Sequence, residues 1–241
     1  MSTPSESEVP SSPPPLVNLL ILITGSVAAV KTGLLLDALS KERCTIRIAA
    51  TTPAFHFLHR AQPSQTGIPF QSILTDAQEW AGWQRVNDAV IHIELRRWAD
   101  LVVLAPLDAN TLGKLACGLC DNLVSCVMRA WEVGRKPVIL CPAMNSAMWA
   151  HPITAQHLET LRWWYGVESA EDAVSAEHPF PTTLEGAMFQ LMNPVSKRLA
   201  CGDIGIGGMA SPEDIAAVIS HTMALIRERK LNETAESSLR E

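Results

Sequence analysis

Most residues of this 241-residue sequence that can carry chemistry stand in short polar turns, each directly after an apolar run. Four such turns can be read along the chain: Gly25-Ser26-Val27, Thr51-Thr52-Pro53, Pro106-Leu107-Asp108-Ala109-Asn110-Thr111 and Pro142-Ala143-Met144-Asn145. In an open α/β sheet, turns of this kind line the carboxyl edge, where ligands bind at the point at which the strand order reverses. The sequence therefore predicts a small-molecule site along that edge.

The first of these turns favours an anion. Gly25 and Ser26 separate a buried strand from a helix, and the start of a helix offers free amide donors and the positive end of its dipole. The turn is neither the lysine loop of NTPases nor the three-glycine fingerprint of dinucleotide enzymes, so neither NTP hydrolysis nor a nicotinamide cofactor is indicated. A serine N-cap on an ordinary crossover helix also explains these residues.

The third and fourth turns have the same two interpretations. Asp108, Asn110 and Thr111 can all cap a helix, although one helix start needs fewer polar groups. Asn145 offers both donors and an acceptor at the end of a strand, and it can equally be a plain turn residue. The residue types alone leave both interpretations open.

His92 and Cys201 are the candidate proton carriers outside the turns. His92 lies in the helix-like stretch 90–98, and its titration range suits acid or base work, although a lone histidine there is more often an ordinary helix residue. Cys201 lies in the glycine-rich stretch 197–210, which we interpret as a mobile flap that carries a thiol to a bound substrate. The other five cysteines are expected to be mostly buried, and their spacing predicts no metal site.

The elements that must position these residues follow from the alternation of apolar runs and helix-like stretches. This alternation predicts right-handed crossovers and a doubly wound parallel sheet, hence an α/β fold. Strands are predicted at residues 16–24, 43–50, 101–105 and 137–141, with a fifth at 188–192, and helices at 27–39 and 212–230. The seven tryptophans, Trp80 and Trp83 among them, are expected mainly to pack in the core.

Length and composition fit one globular domain over residues 16–230 with additions. Residues 1–15 are rich in proline and serine and are predicted to be disordered, residues 168–186 form an acidic insertion, and residues 231–241 form a flexible tail. The net charge of −6, with no basic stretch outside residues 95–98, argues against nucleic acid as a partner. Because every apolar run is far shorter than the roughly 18 residues of a membrane span, and no cationic targeting signal is seen, we expect a cytoplasmic protein.

Six blocks of the sequence together carry a resemblance to a known family. They are Gly25 to Ala29, His92 to Asp100, Ala105 to Lys114, Cys120 to Leu123, Pro142 to Asn145 with Met148-Trp149, and Ala200 to Asp203. In these blocks the chain resembles the homo-oligomeric flavin-containing cysteine decarboxylase family, in unbroken order over about residues 16–210. It is most similar to the stand-alone members that decarboxylate phosphopantothenoylcysteine to 4'-phosphopantetheine in coenzyme A biosynthesis.

The resemblance implies a Rossmann-like, flavodoxin-type subunit and a homotrimer that holds FMN at the subunit interface. It implies an FMN site formed by Gly25, Ser26, Val27, Thr52, Pro53, Ala54, Asp108, Ala109, Asn110, Thr111 and Ala143. It also implies His92 as the base, Cys201 as the acid, and substrate contacts from Asn145, Arg198, Ala200 and Met209. No metal is expected.

The chemistry that the resemblance implies suits these residue types. Loss of CO2 from a cysteine carboxylate needs an electron sink, and FMN creates one by oxidising the side chain to a thioaldehyde, from which CO2 leaves to give an enethiolate. His92 can assist deprotonation near neutral pH, and the thiol of Cys201 can donate a proton. Asn145 can hold the carboxylate without full charge pairing.

Two other functions on this scaffold stay open. One is an FMN-binding regulatory subunit of the halotolerance type that inhibits type 1 protein phosphatase, although the long acidic tail of those proteins has only a short counterpart after Lys230. The other is decarboxylation of a C-terminal cysteine in a peptide. The chain also departs from the family pattern by its insertion at about residues 168–186, just before the flap.

Overall fold

A five-stranded parallel sheet forms the centre of the protein, for which the computed structural model describes residues 13–61, 64, 72–166, 180–198 and 204–239. The strands are β1 (Val17–Ile23), β2 (Cys44–Ala50), β3 (Leu101–Leu107), β4 (Val138–Pro142) and β5 (Phe189–Leu191), in the order β2-β1-β3-β4-β5. All neighbouring strands run parallel, which confirms the predicted α/β fold, and the order reverses between β1 and β3. A separate antiparallel pair consists of β6 (Val195–Arg198) and β7 (Ile204–Gly208).

Helices connect the strands and cover both faces of the sheet. After β1, the predicted first helix is a 3-10 helix (Val27–Lys31) that leads into α1 (Thr32–Ala38). After β2, a 3-10 helix (Thr52–Ala54) leads into α2 (Phe55–Leu58). The other described helices are α3 (Asp76–Ala81), α4 (Ile91–Trp98), α5 (Ala109–Ala116), α6 (Leu123–Arg129), α7 (Ser146–Ala150), α8 (Pro152–Tyr165), a 3-10 helix (Gly186–Met188) and α9 (Pro212–Ser238).

Two hydrophobic cores lie on opposite faces of the sheet, because successive side chains of a strand point to opposite sides. Leu19 and Ile21 belong to the core that includes residues of α1 and α9. Leu20 and Leu22 belong to the core that includes residues of α4 and α6. Since β3 is buried along its whole length, the polar turn that follows it is anchored to the core.

The glycines of β7 allow that strand to lie directly on the turn that follows β4. The amide of Met144 donates a hydrogen bond to the carbonyl of Gly207 at 2.9 Å. Gly207 has a φ of +156°, and a Cβ on it would stand 2.2 Å from the carbonyl oxygen of Met144. A Cβ on Gly205 would stand 2.4 Å from Ser146 Oγ. Close packing therefore explains these glycines, whereas the sequence suggested only mobility.

The C-terminal helix is longer than predicted. α9 continues past the predicted end at Lys230 and reaches Ser238, so residues 231–238 are helical, where the sequence predicted a flexible tail. This stretch contains leucine, alanine and two glutamates and neither glycine nor proline, which lets the helix run on although its side chains are exposed.

Several predicted features lie outside the described residues. They are the N-terminal tail up to residue 12, most of the insertion at 168–186, and residues 199–203, which include Ala200 and Cys201. Among the helices that are described, none is long and apolar enough to cross a membrane.

Candidate functional site

A cavity of about 690 Å³ opens at the carboxyl ends of β1, β3 and β4, beside the point where the strand order reverses. Its described lining residues are Gly25, Ser26, Val27, Ala28, Val30, Lys31, Phe57, Asp108, Ala109, Asn110, Ala143, Met144, Asn145, Met148, Gly207, Gly208 and Met209. This volume is typical of sites for cofactors and other small molecules. Three of the four predicted turns thus meet in one cavity.

Part of the cavity wall consists of residues that no pattern in the sequence predicted. Phe57 in α2 and Met148 in α7 add apolar surface, and Lys31 adds a cation at the end of the first 3-10 helix. Phe57 carries no signal of its own, because an aromatic residue in a short helix is typical of a core position. Met148 belongs to a block of the resemblance, so that block was a signal for it.

Gly25 permits the close approach of the first three turns. A Cβ at this position would stand 2.8 Å from Pro53 Cβ and 3.1 Å from Asp108 Oδ2. The neighbouring Ser26 accepts a hydrogen bond from the amide of Ala28 at 3.4 Å and caps the first helix. The capping role is therefore confirmed, and a phosphate at this turn stays a prediction.

Hydrogen bonds to Thr24 fix the turn that follows β3. Thr24 Oγ1 donates to the carbonyl of Pro106 at 2.9 Å and accepts from the amide of Asp108 at 2.7 Å. Asp108 Oδ1 in turn accepts from the amide of Thr111 at 2.7 Å and caps α5. Asp108 lines the cavity, whereas Thr111 is buried and is not among the lining residues.

Asn145 lies in the cavity wall and also begins a helix. Its side-chain carbonyl accepts a hydrogen bond from the amide of Ala147 at 2.8 Å, which caps α7. Both interpretations of this residue are therefore compatible, since a capping asparagine still presents its amide group to its surroundings. Met209, just after β7, is buried and also lines the cavity.

The turn Thr52-Pro53-Ala54 is adjacent to the cavity but is not among its described lining residues. Pro53 approaches Gly25, as described above, and Ala54 is buried. Thr52 Oγ1 donates to Asp76 Oδ2 at 3.0 Å, and Asp76 Oδ1 accepts from the amide of Leu123 at 2.8 Å. This turn therefore links the cavity region to α3 and α6.

His92 lies apart from the cavity within one chain. It is the second residue of α4, and its Nδ1 forms a hydrogen bond with Oε1 of Glu79 in α3. The Glu79 side chain is 2% exposed and the His92 side chain is 20% exposed. His92 is not among the described lining residues, so one subunit does not place the predicted base in the wall of this cavity.

Cys126 in α6 is the third member of this cluster. Its Sγ and the nearest ligand atoms of Glu79 and His92 all lie within 4.8 Å of one another. Sγ donates to the carbonyl of Cys120 at 3.3 Å, and burial, followed by the negative charge of Glu79, raises the pKa of the thiol to about 11. The three groups have the types of metal ligands, but the direct hydrogen bond between His92 and Glu79 leaves no room for an ion between those two atoms.

The other cysteines correct an expectation. Of the five that the structure describes, Cys141 is buried, Cys44 and Cys126 are half-buried, and Cys117 and Cys120 are exposed. The expectation of mostly buried thiols is therefore wrong. Cys117 and Cys120 lie just beyond the end of α5, where the chain turns at the surface.

The predicted flap residues are only partly placed. The backbone of Arg198 ends β6, and Met209 lines the cavity. Ala200 and Cys201 lie outside the described residues, so their predicted roles stay predictions.

Two separate groups of exposed apolar side chains flank the functional residues. Trp80 is 60% exposed, Trp83 is 42% exposed and Val86 is 77% exposed, all close in sequence to Glu79. The expected core packing is therefore wrong for these two tryptophans. The second group, Val27 and Met148, lies at the cavity. Exposed apolar groups beside functional residues are typical of contact surfaces.

A doubly wound parallel sheet with a cavity at its switch point defines an α/β protein of flavodoxin-like topology. Residues 11–224 match the family described as Flavoprotein, and the chain belongs to that family.

Curated relatives match nearly the whole chain. The chain is 40% identical to phosphopantothenoylcysteine decarboxylase HAL3 of Malus domestica over 234 residues, which cover 97% of this chain and 94% of the relative. It is 42% identical to phosphopantothenoylcysteine decarboxylase of Mus musculus over 207 residues, which cover 86% and 87%.

Solved structures show the same likeness. A PPC decarboxylase mutant complexed with pantothenoylaminoethenethiol superimposes with a TM-score of 0.67 at 39% identity, covering 85% of this chain and 97% of that chain. The FMN-binding protein AtHal3 superimposes with a TM-score of 0.64 at 40% identity, covering 84% and 94%.

Proposed function

We propose that this chain is an FMN-dependent phosphopantothenoylcysteine decarboxylase of the cytosol. The observation that carries the proposal is the switch-point cavity, which is built from the turns at Gly25, Asp108 and Asn145 in a chain of the Flavoprotein family. The names of the relatives from Malus domestica and Mus musculus support the reaction. The cysteines in the part of the chain that the structure describes are free thiols, which supports a reducing compartment.

The chemistry of the cavity wall fits FMN. The helix start at Ser26 suits the phosphate, because the first amides of a helix point at an anion. Lys31 adds positive charge, and Phe57, Met144 and Met148 offer apolar and polarisable surface to a flat ring. When bound there, FMN supplies the reversible oxidation of the cysteinyl side chain that makes loss of CO2 possible. The similarity to the FMN-binding protein AtHal3 supports this assignment.

The remaining predicted residues bind the substrate and move protons. Asn145 holds the carboxylate that leaves as CO2, and its position in the cavity wall supports this role. Met209, Arg198 and Ala200 belong to the segment that closes over the substrate, and Cys201 in the same segment gives the proton that completes the product. His92 is the base.

The active site is completed by a second copy of the chain. His92 stands apart from the cavity within one subunit, and each of the two regions carries its own exposed apolar side chains, Trp80 and Trp83 in one and Val27 and Met148 in the other. When two different surfaces of identical subunits meet, the contact is heterologous, and it forms a ring when the rotation between neighbours closes. This arrangement supports a homotrimer in which His92 of one subunit reaches the cavity of the next.

The decisive assay uses the purified protein and synthetic phosphopantothenoylcysteine. A yellow protein with a flavin spectrum should release CO2 and form 4'-phosphopantetheine. A yellow protein that is inert would favour the regulatory alternative, turnover of only a peptide with a C-terminal cysteine would favour the other, and a colourless protein that takes up no FMN would refute the cofactor.

Two substitutions test the proposed roles of the base and the acid. His92→Asn and Cys201→Ser should both retain FMN and lose turnover, since neither residue lies in the predicted FMN site. Normal turnover by either variant would remove that residue from the mechanism.

A further inference from the structure

Glu79 is a buried carboxylate that the sequence analysis did not single out. Its side chain is 2% exposed, and an ionised group at such a place is costly unless it has a partner. The partner that the structure gives it is Nδ1 of His92. We propose that Glu79 is a positioning residue that fixes the tautomer and orientation of His92, an inference that rests on the proposed function.

The hydrogen bond determines where the imidazole carries its proton. An ionised carboxylate can only accept hydrogen bonds, so Nδ1 must be the donor. In the neutral ring Nε2 then carries the lone pair, which is the state that a base needs. The opposite tautomer would place a lone pair of Nδ1 against the carboxylate. Glu79 therefore favours the imidazole form that can take up a proton at Nε2.

The exposure of the two side chains agrees with this division of roles. The histidine keeps 20% of its side chain exposed, whereas the carboxylate is enclosed. The accessible part of the pair is therefore the imidazole, and the exposed Trp80 directly follows Glu79 in α3. A second subunit bound there would meet the histidine and not the glutamate.

The helix that carries Glu79 is held firmly in place. Thr75 and Gln78 form a reciprocal capping box at the start of α3. Asp76, in the first turn of the same helix, accepts hydrogen bonds from Thr52 and from the amide of Leu123. α3 is thus tied both to the turn next to the cavity and to α6, so the carboxylate has a fixed location relative to the ligand turns.

Cys126 lies beside the pair formed by His92 and Glu79. It does not compete for the proton that these two residues share. Because the pKa of its thiol is raised to about 11, Cys126 is neutral under physiological conditions. Its Sγ donates to the carbonyl of Cys120 and leaves the hydrogen bond between His92 and Glu79 undisturbed.

The test compares the holoprotein with Glu79→Gln, Glu79→Asp and Glu94→Gln. Tautomers are read from the imidazole nitrogen shifts of protein labelled with ¹⁵N-histidine, and the His92→Asn spectrum assigns the signal of His92. The wild type should show the proton on Nδ1. Glu79→Gln should show a mixture with the Nε2-protonated form, because a carboxamide both donates and accepts. Glu94 lies in α4 near His92 and pairs with Arg97 on the exposed side, so Glu94→Gln should match the wild type.

Turnover provides the second measurement. In Glu79→Gln, kcat should fall at least about tenfold, a part of the roughly 100- to 10,000-fold that general acid–base catalysis contributes. FMN content and KM should stay close to those of the wild type, and Glu79→Asp should recover part of kcat. A merely structural role would not change the tautomer.

Two results would overturn the inference. They are a wild-type His92 that carries its proton on Nε2, and a Glu79→Gln variant with unchanged tautomer and kcat. The tautomer is measured without substrate, so it reports on the pair even if the wild-type protein proves inert, an outcome that would refute the proposed function instead.

Discussion

At the scale of single residues, Gly25 controls whether the ligand turns can approach one another. Gly25→Ala should yield a folded protein with greatly reduced FMN content, because the new Cβ would meet Pro53 at 2.8 Å and Asp108 at 3.1 Å. Flavin absorbance per mole of purified protein measures the effect. Gly82→Ala is the matched control, since a Cβ at Gly82 meets nothing within 4 Å. Full FMN content in Gly25→Ala would contradict the role given to this turn.

The cysteines should differ in their reaction with an alkylating reagent as the pH rises. A raised pKa favours the neutral thiol, and only the thiolate reacts. Since the pKa of Cys126 is about 11 and burial also raises that of Cys141, both should react far more slowly at neutral pH than the exposed Cys117. Mass spectrometry of the alkylated peptides across a pH series checks this. Equal rates for Cys117 and Cys126 at neutral pH would show that Cys126 is not held in this environment.

Residue types alone predicted the turns that line the cavity. They did not predict which side chains contact one another in the fold. The turns at Gly25, Asp108 and Asn145 are visible in the sequence because each follows a buried strand. The contact between Glu79 and His92 is not visible, because it depends on how α3 packs against α4 and no pattern within either helix records that packing.

At the scale of elements, the glycines of β7 hold the hairpin against the turn that carries Asn145. Gly207→Ala should lower the free energy of unfolding by about 1–3 kcal/mol, the usual cost of overpacking, and should reduce turnover by moving β7 away from Met144. Urea unfolding and the decarboxylation assay measure the two effects.

Ser146→Ala provides the contrasting variant for the same contact. Ser146 Oγ is buried and has no hydrogen-bond partner within the part of the chain that the structure describes. Its removal leaves more room for Gly205, so stability should be unchanged or higher.

If Gly207→Ala were as stable and active as the wild type, β7 would not need glycine for packing.

The strands were predictable and the ends of some elements were not. Nearly every side chain of β1 and β3 is buried. Their continuous apolar composition is therefore enough to predict them as strands. α9 runs past Lys230 because nothing in residues 231–238 stops a helix, whereas polar and charged composition by itself does not show whether a segment is helical.

At the scale of the whole molecule, the proposed function requires a second subunit to complete the site. The tryptophans near Glu79 are exposed in one subunit, and composition gives no means to tell a core tryptophan from one at an interface. Composition likewise gives no means to tell that His92 lies outside the described wall of the cavity. Both facts are explained if the subunits form a ring with the site between neighbours.

Mixed oligomers of two inactive variants test this account most directly. His92→Asn removes the base, and Asn145→Asp keeps the cap of α7 but repels the substrate carboxylate. Each pure variant should be inactive with FMN bound. In oligomers formed by co-expressing both chains in equal amounts, about a quarter of the sites of a closed ring should pair an intact Asn145 with an intact His92 from the neighbour. Decarboxylation at about a quarter of the wild-type rate is the predicted result, and mixed oligomers as inactive as the pure variants would contradict a site shared between subunits.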